Sequence, residues 1–224
     1  VSIFDYILAV LPGLPVSLSL TFAALVTAFL LSVLFTLILS LKPRILTQLV
    51  KGYITLFTGT PLLVQFFLIY FGPAQFEGLK AYPQLWELMS SPWLCAMVTL
   101  ALNSAAYSTL LFYGAVKAIP QGQWQSCQAL GMSQKQTMRI ILPYAFKRAL
   151  SSYSNEVVLI FKSTSLATTI SLLEVMGYSR RLFGQDYDLN VFIAAGIIYL
   201  VVNSLLTLAM RLIERRALAF EHRS

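Results

Sequence analysis

Apolar residues run along this chain in stretches too long for the core of a water-soluble protein. Thirty-six uncharged residues separate Asp5 from Lys42, 25 separate Lys51 from Glu77, 29 separate Glu87 from Lys117 and 22 separate Asp188 from Arg211. About 20 apolar residues cross the hydrocarbon core of a bilayer and charges interrupt such runs, so each stretch predicts one spanning helix. A fifth stretch, from about Ser151 to Met176, contains VVLIF and LATTISLL and is broken by Glu156 and Lys162. It predicts a fifth span. The pattern describes an all-α integral membrane protein with five transmembrane helices, forming one domain over residues 1–224.

Polar and helix-breaking residues punctuate these runs. Pro12, Gly13 and Pro15 fall within four positions, so residues 3–15 form an interfacial segment leading into a span that starts near Val16. Thr58, Gly59, Thr60 and Pro61 interrupt the second span; Pro61 lacks a donor and leaves the carbonyl of Phe57 without its helical partner, so the helix kinks or unwinds there. The segment from Gly72 to Pro92, with three prolines, Tyr82 and Trp86, suits an ordered cap at the membrane surface. The longest polar segment, Lys117 to Arg148, predicts two helices around a tight turn. Trp124, Cys127 and Leu130 share one side of the first, Gly131 supplies a left-handed stop, and Ser133 with Gln136 forms a capping box for the second, which Pro143 ends or kinks at Leu142.

Charge changes the picture by giving direction. Of the 16 basic residues, 12 lie in the Lys42–Lys51 loop, the Lys117–Arg148 segment and the tail from Arg211, which five spans place on one side. Basic loops stay in the cytoplasm, so the amino terminus is expected outside and the carboxyl terminus inside. The same asymmetry accounts for the net charge of +7 and removes the nucleic-acid reading that a basic chain invites. No residue before Lys42 is basic, so the first helix lacks the charged start of a cleavable signal and is expected to remain as an anchor. Cys95 and Cys127 lie in different compartments and are not expected to pair. His222 is the single histidine, which excludes haem ligation in the spans and an H-E-x-x-H zinc site; no metal site is expected.

Four features carry candidate chemistry. A charge at mid-bilayer depth costs about 3 kcal/mol and therefore faces protein or a water-filled cavity. Glu156 and Lys162 are six residues apart, about 120° out of alignment on a helix, so they do not pair with each other. Asn155, Lys162 and Thr169 form a seven-residue polar stripe with Ser165 nearby. Glu156 is either an acceptor for a cationic substrate group or one half of a buried ion pair. Asn103 and Tyr107, with Ser104, either bond across helices or line a pathway, and Thr58 at the interruption of the second span is either part of a simple kink or part of a gate. The chain has no phosphate-cradling G-x-x-x-x-G-K-[ST] segment, so any ATP-driven motion must arrive through a rigid contact, for which the polar segment around Gly131 is the candidate. On its residues alone that segment could equally be a structural amphipathic loop.

Within QGQWQSCQALGMSQKQTMRIILPYAF (Gln121–Phe146), the spacing of Gly131, Ile141, Leu142 and Pro143 resembles the EAA loop of bacterial ABC importer permeases. Further likenesses are FTGTPLLVQFF at Phe57–Phe67, LNSAAY at Leu102–Tyr107, GQW at Gly122–Trp124, NEVVLIFKSTSL at Asn155–Leu166 and LIERRALAFE near the end. Together they resemble the polar amino-acid uptake permeases, and among these most nearly the M-type membrane subunits of arginine importers. The resemblance implies the MetI-like fold of type I ABC importer permeases and a noncatalytic subunit for arginine or other basic amino acids in the bacterial inner membrane. It also implies partners: a homologous permease forming a heterodimer, two cytoplasmic ABC ATPases that bind ATP and Mg, and a periplasmic amino-acid-binding protein. No cofactor is implied for this chain itself. Carried over by motif, Gln125, Ser126, Cys127, Ala129, Leu130, Gly131 and Met132 become the ATPase-coupling residues, and Glu156, Asn103, Tyr107 and Thr58 the substrate candidates. Two departures stand out. Gln125, Ser126 and Cys127 replace the family's acidic-Ala-Ala, and Leu110 and Tyr113 stand where many relatives carry Glu and Arg. A partner permease carrying the usual residues would explain both. The competing class is a stand-alone secondary transporter or channel using Glu156 and Lys162 as an ion relay; an electron-transfer assembly subunit is disfavoured by the missing histidines.

Overall fold

The computed structural model describes residues 2–218 and is helical throughout, with no strand among those residues. His222 and the end of the LIERRALAFE segment lie outside them. Helix α1 (Ile3–Val10) opens on a capping box in which Ser2 Oγ accepts from the Asp5 amide and the Asp5 carboxylate accepts from the Ser2 amide. A 3-10 turn at Leu11–Gly13 joins it directly to α2 (Leu14–Leu41), so the proline cluster bends the chain's entry without ending the apolar run. The remaining long elements are α3 (Arg44–Gly59), α4 (Leu62–Phe71), α7 (Pro92–Lys117), α8 (Gln121–Ala129), α9 (Gln134–Ser163), α10 (Val175–Asp186) and α11 (Asn190–Leu218); two short helices, α5 (Glu77–Lys80) and α6 (Pro83–Ser90), form the cap predicted before α7.

Three stretches, Ile3–Leu41, Pro92–Lys117 and Asn190–Ala217, are long and apolar enough to cross a bilayer unbroken. The other two spans are bent. Helices α3 and α4 meet at 107°, and α9 with its 3-10 extension meets α10 at 48°, so counting each bent pair once gives the five predicted spans. The break at Thr60 and Pro61 is much sharper than a simple kink, and the helix entering it begins at Arg44, well before Lys51.

Bilayer lipid is as apolar as the side chains, so close backbone packing decides which helices touch. The buried face of α2 is built from Ser17, Leu20, Thr21, Ala24, Ala28, Ser32 and Thr36, and that of α7 from Ala96, Ala101, Ser104, Ala105, Ser108 and Thr109. Small residues on both sides let these helices form the central seam of the molecule, against which α9, α3 and α4 pack. The large apolar residues of the outer faces, among them Phe22, Leu30, Leu200 and Leu205, are exposed where lipid would cover them.

Two expectations need correction. Of the end or kink expected at Pro143, the end does not occur: helix α9 continues from the capping box at Ser133 and Gln136 through Pro143 to Ser163. Pro143 lies on the exposed side, so the carbonyl its ring leaves without an amide partner stays near water, while Ile141, Leu142 and Ala145 on the other side are held against Val116, Ile119 and Met138. The predicted polar stripe ends with the helix: from Thr164 to Ile170 the chain is 3-10, so Thr169 follows a different period from Asn155 and Lys162.

Glu174 caps α10. The charge pattern places it near the outer end of a span, yet it is 0% exposed. Its carboxylate accepts from the Gly177 amide at 2.7 Å, the Tyr199 hydroxyl at 2.7 Å and Ser17 Oγ at 3.3 Å, which ties α2, α10 and α11 together. Gly13 fits tightly over this knot. A Cβ there would stand 2.5 Å from the carbonyl carbon of Glu174 and from the amide nitrogen of Val175. Gly13→Ala therefore forces the first turn off α10, and thermal unfolding of the detergent-purified protein is expected to show a loss of about 1–3 kcal/mol. At Gly131, where φ is +70° and no atom lies near a new Cβ, Gly131→Ala strains only the backbone. The expected loss there is about 1 kcal/mol, read by the same measurement.

Candidate functional site

The break in the second span is where local sequence creates a problem that the fold must solve. Pro61 begins the new helix direction and cannot return a hydrogen bond to the carbonyl of Phe57, which in hydrocarbon would be left bare. Gln65, one turn into α4 and 5% exposed, donates from Nε2 to Phe57 O at 2.9 Å, to Thr60 O at 3.1 Å and to Thr60 Oγ1 at 2.8 Å. Asn103 of α7 donates from Nδ2 to the same Phe57 carbonyl at 3.2 Å and to Gln65 Oε1 at 3.0 Å. The Tyr107 hydroxyl reaches Thr58 O at 3.4 Å, and the Tyr53 hydroxyl donates to Leu102 O. The break is thus stitched to α7.

Beside these stitches lies a cavity of about 310 Å³ lined by Leu62, Leu100, Asn103, Ser104, Tyr107, Glu156, Leu159, Ile160 and Ser163. Glu156 projects from α9 and is 9% exposed; its carboxylate accepts from Ser104 Oγ at 3.4 Å, and no basic side chain of the described residues is paired with it. The intrachain ion pair considered for Glu156 is therefore not formed among these residues. Lys162 is exposed on the same helix and its side chain is not among those lining the cavity. Three of the four substrate candidates, Glu156, Asn103 and Tyr107, meet at this one cavity. Thr58 touches it only through Tyr107: its own hydroxyl is spent on Ile54 O at 2.7 Å. Gln65 was not singled out by the sequence, although a lone amide within LLVQFFLIYF, four residues after a proline, is the signal that could have found it.

At the basic end of the bundle, α8 and the start of α9 form the predicted helix, tight turn, helix. Gly131 takes φ +70°, its amide donates to Gln128 O at 2.9 Å, and the Met132 amide donates to Cys127 O at 3.1 Å. Gln125, Ser126, Ala129 and Leu130 are exposed, with Leu130 reaching 79%, and Met132 is half-buried. Cys127 points the other way and is buried. Trp124 also packs toward the bundle, against the cluster around Val116, Ile119 and Met138, whereas Leu130, expected on the same side, faces outward because the chain leaves the helix there to enter the turn. Behind α8 a second cavity of about 430 Å³ is lined by Lys42, Lys117, Tyr113, Trp124 and three glutamines, among others, with the Lys117 ammonium 4.5 Å over the Tyr113 ring. Leu110, the other departure from the family pattern, is exposed.

Comparison with known proteins fits this geometry. The profile of the family described as binding-protein-dependent transport system inner membrane component matches residues 28–218. The arginine ABC transporter permease protein ArtM of Escherichia coli (strain K12) is 68% identical over 221 residues, spanning 99% of this chain and 100% of the relative. A crystal structure of an amino acid ABC transporter with histidines superposes with a TM-score of 0.83 at 26% identity, covering 95% of this chain and 96% of the other. The MetNI methionine ABC transporter in an inward-facing conformation shares the fold with a TM-score of 0.76 at 15% identity, covering 93% of this chain and 95% of the other. A component that depends on a binding protein is not a stand-alone carrier, which removes the channel and secondary-transporter readings. With its bent second span stitched across a carboxylate-walled cavity and its exposed turn at the basic end, this chain belongs to the binding-protein-dependent transport system inner membrane components and is a membrane permease of the ABC type.

Proposed function

We propose that this chain is the noncatalytic permease subunit of an ATP-driven importer for arginine or other basic amino acids in a bacterial inner membrane, with its amino terminus outside and its carboxyl terminus inside. It pairs with a homologous permease to enclose the pathway, receives substrate from a periplasmic binding protein, and is driven by two cytoplasmic ATPases that hold ATP and Mg. The observation that carries the substrate reading is the Glu156 carboxylate on the wall of the 310 Å³ cavity without a cationic partner among the described residues. A cationic side chain supplies the missing charge, and a guanidinium can do so with two-point geometry. The 68% identity to a permease named for arginine supports the same choice.

The coupling reading rests on Gln125, Ser126, Ala129, Leu130, Gly131 and Met132, with Cys127 acting from the inner side as packing for the helix that presents them. Leu130 offers a large apolar contact at the turn, and the acid that relatives use in this segment is supplied by the partner permease. Closure of the ATPases on ATP pushes this turn, the spans rock to face outward, and substrate enters beside α7 and α9; hydrolysis resets them. ATP and the loaded receptor drive the change only to the extent that each favours the outward state.

Two measurements test the pair of readings. Glu156→Gln keeps the shape and removes the charge, so the folded complex is expected to bind arginine about tenfold more weakly or worse. An unchanged affinity would strike Glu156 from the substrate site. Leu130→Asp places a charge in the apolar contact and is expected to reduce both ATPase retention on purification and arginine-stimulated ATP hydrolysis about tenfold, with permease yield unaltered. Full stimulation in that variant would remove the turn from the coupling contact.

A further inference from the structure

The direction of the hydrogen bonds around the broken span fixes more than its shape. Backbone carbonyls only accept, so the two that Gln65 faces, Phe57 O at 2.9 Å and Thr60 O at 3.1 Å, dictate that its amide nitrogen lies on that side. Thr60 Oγ1 agrees, since its proton goes to Leu56 O at 2.8 Å and it can only accept from Gln65 at 2.8 Å. Gln65 Oε1 must then face Asn103 and accept from Nδ2 at 3.0 Å, while the same nitrogen donates to Phe57 O at 3.2 Å. Both N–H groups of Asn103 are spent, and Oδ1, which has no partner among the described residues, is the polar atom that Asn103 leaves for the cavity it lines.

The rest of the lining follows the same polarity. Tyr107 donates its proton to Thr58 O and Ser104 donates to Glu156, both at 3.4 Å, so neither proton is left for a ligand. Ser163 is the one lining hydroxyl whose proton is uncommitted among the described residues. What remains for a ligand is the Glu156 carboxylate, Asn103 Oδ1, the lone pairs of Tyr107 and the single hydroxyl of Ser163: acceptors in the majority, with a negative charge among them and one donor.

We propose that Gln65 is a positioning residue that sets the hydrogen-bond polarity of this cavity by holding Asn103 in one orientation, so that the cavity selects a donor-rich cationic side chain over a neutral isostere. The inference rests on the reading that this cavity takes the amino acid. A guanidinium presents donors on every edge. The ureido group of citrulline has the same outline but carries an acceptor oxygen in place of one donor nitrogen, and that oxygen would meet Asn103 Oδ1 or Glu156 with no hydrogen between them. A site whose buried acceptors are left unpaired discriminates far more strongly than one that merely fits a shape.

The test is the ratio of arginine to citrulline affinity, measured on the purified complex of this permease with its partner subunits. The wild type is expected to favour arginine by more than about tenfold. Gln65→Met removes the nearer of the two acceptors that hold Asn103 Nδ2 and leaves only Phe57 O at 3.2 Å, so the amide is freer to turn its nitrogen toward the cavity, and the ratio is expected to fall about tenfold, mainly through tighter citrulline binding. Gln65→Ser, whose smaller side chain admits water to cover Phe57 O, is expected to do the same if Gln65→Met does not fold. Asn103→Ala should lower the ratio through weaker arginine binding. A wild type that binds both ligands alike, or a folded Gln65 variant that keeps the wild-type ratio, overturns the proposal. Failure of the underlying reading has a different signature: arginine affinity would then be indifferent to Glu156→Gln and Asn103→Ala together.

Discussion

A peptide carbonyl cannot lie bare in hydrocarbon, and the architecture around the second span follows from that constraint. Pro61 frees the carbonyl of Phe57, and a bend of 107° removes any chance that the helix will recover it. Gln65 and Asn103 cover it from two helices at once. Because the covering groups are side chains of α4 and α7, the bend is fixed to the central seam of the molecule, and Leu62, just past the break, lines with Asn103 the cavity that Glu156 faces. A break that is tolerated only against protein or a cavity is here placed against both.

The same economy of polar groups governs the rest of the bundle. Glu174 is fully buried, yet three donors from three different elements converge on it, and the knot they form locks the first turn of the chain against α10 and α11. Glu156 is nearly as buried and receives one long hydrogen bond. Two carboxylates in one membrane domain thus have opposite characters: one is satisfied from within and structural, while the other retains acceptor capacity toward a cavity. Partnering separates them where depth in the sequence does not.

Helix α9 connects the two ends of the molecule. It begins at the capping box beside Gly131 and continues without interruption past Pro143 to Glu156 and Ser163. With a rise of about 1.5 Å per residue, the 22 residues between Gln134 and Glu156 span about 33 Å. A partner that displaced the turn would therefore act on the residue at the cavity wall along one helix. The small-residue seam between α2 and α7 gives that helix a close-packed surface to lie against.

Local interactions made much of this protein legible in its sequence. Runs of uncharged residues fixed the number of spans; Gly131, Ser133 and Gln136 specified the turn and the cap; Pro61 marked the broken helix and named the carbonyl it would orphan. Each of these signals acts over about four residues, the reach of one helical turn. The family that these motifs resemble is the one to which the chain belongs. Tertiary structure alone decided what the local rules leave open. Pro143 signals a helix end or a kink, and packing of Ile141, Leu142 and Ala145 on the opposite face keeps the helix from ending there. Gln65 reads as one amide in an apolar run until Asn103, 38 positions away, meets it, and Glu174 reads as a span-end charge until Ser17 and Tyr199 close over it. Backbone geometry is set by neighbours in the chain, whereas the role of a buried polar group is set by whichever donor or acceptor the fold carries to it.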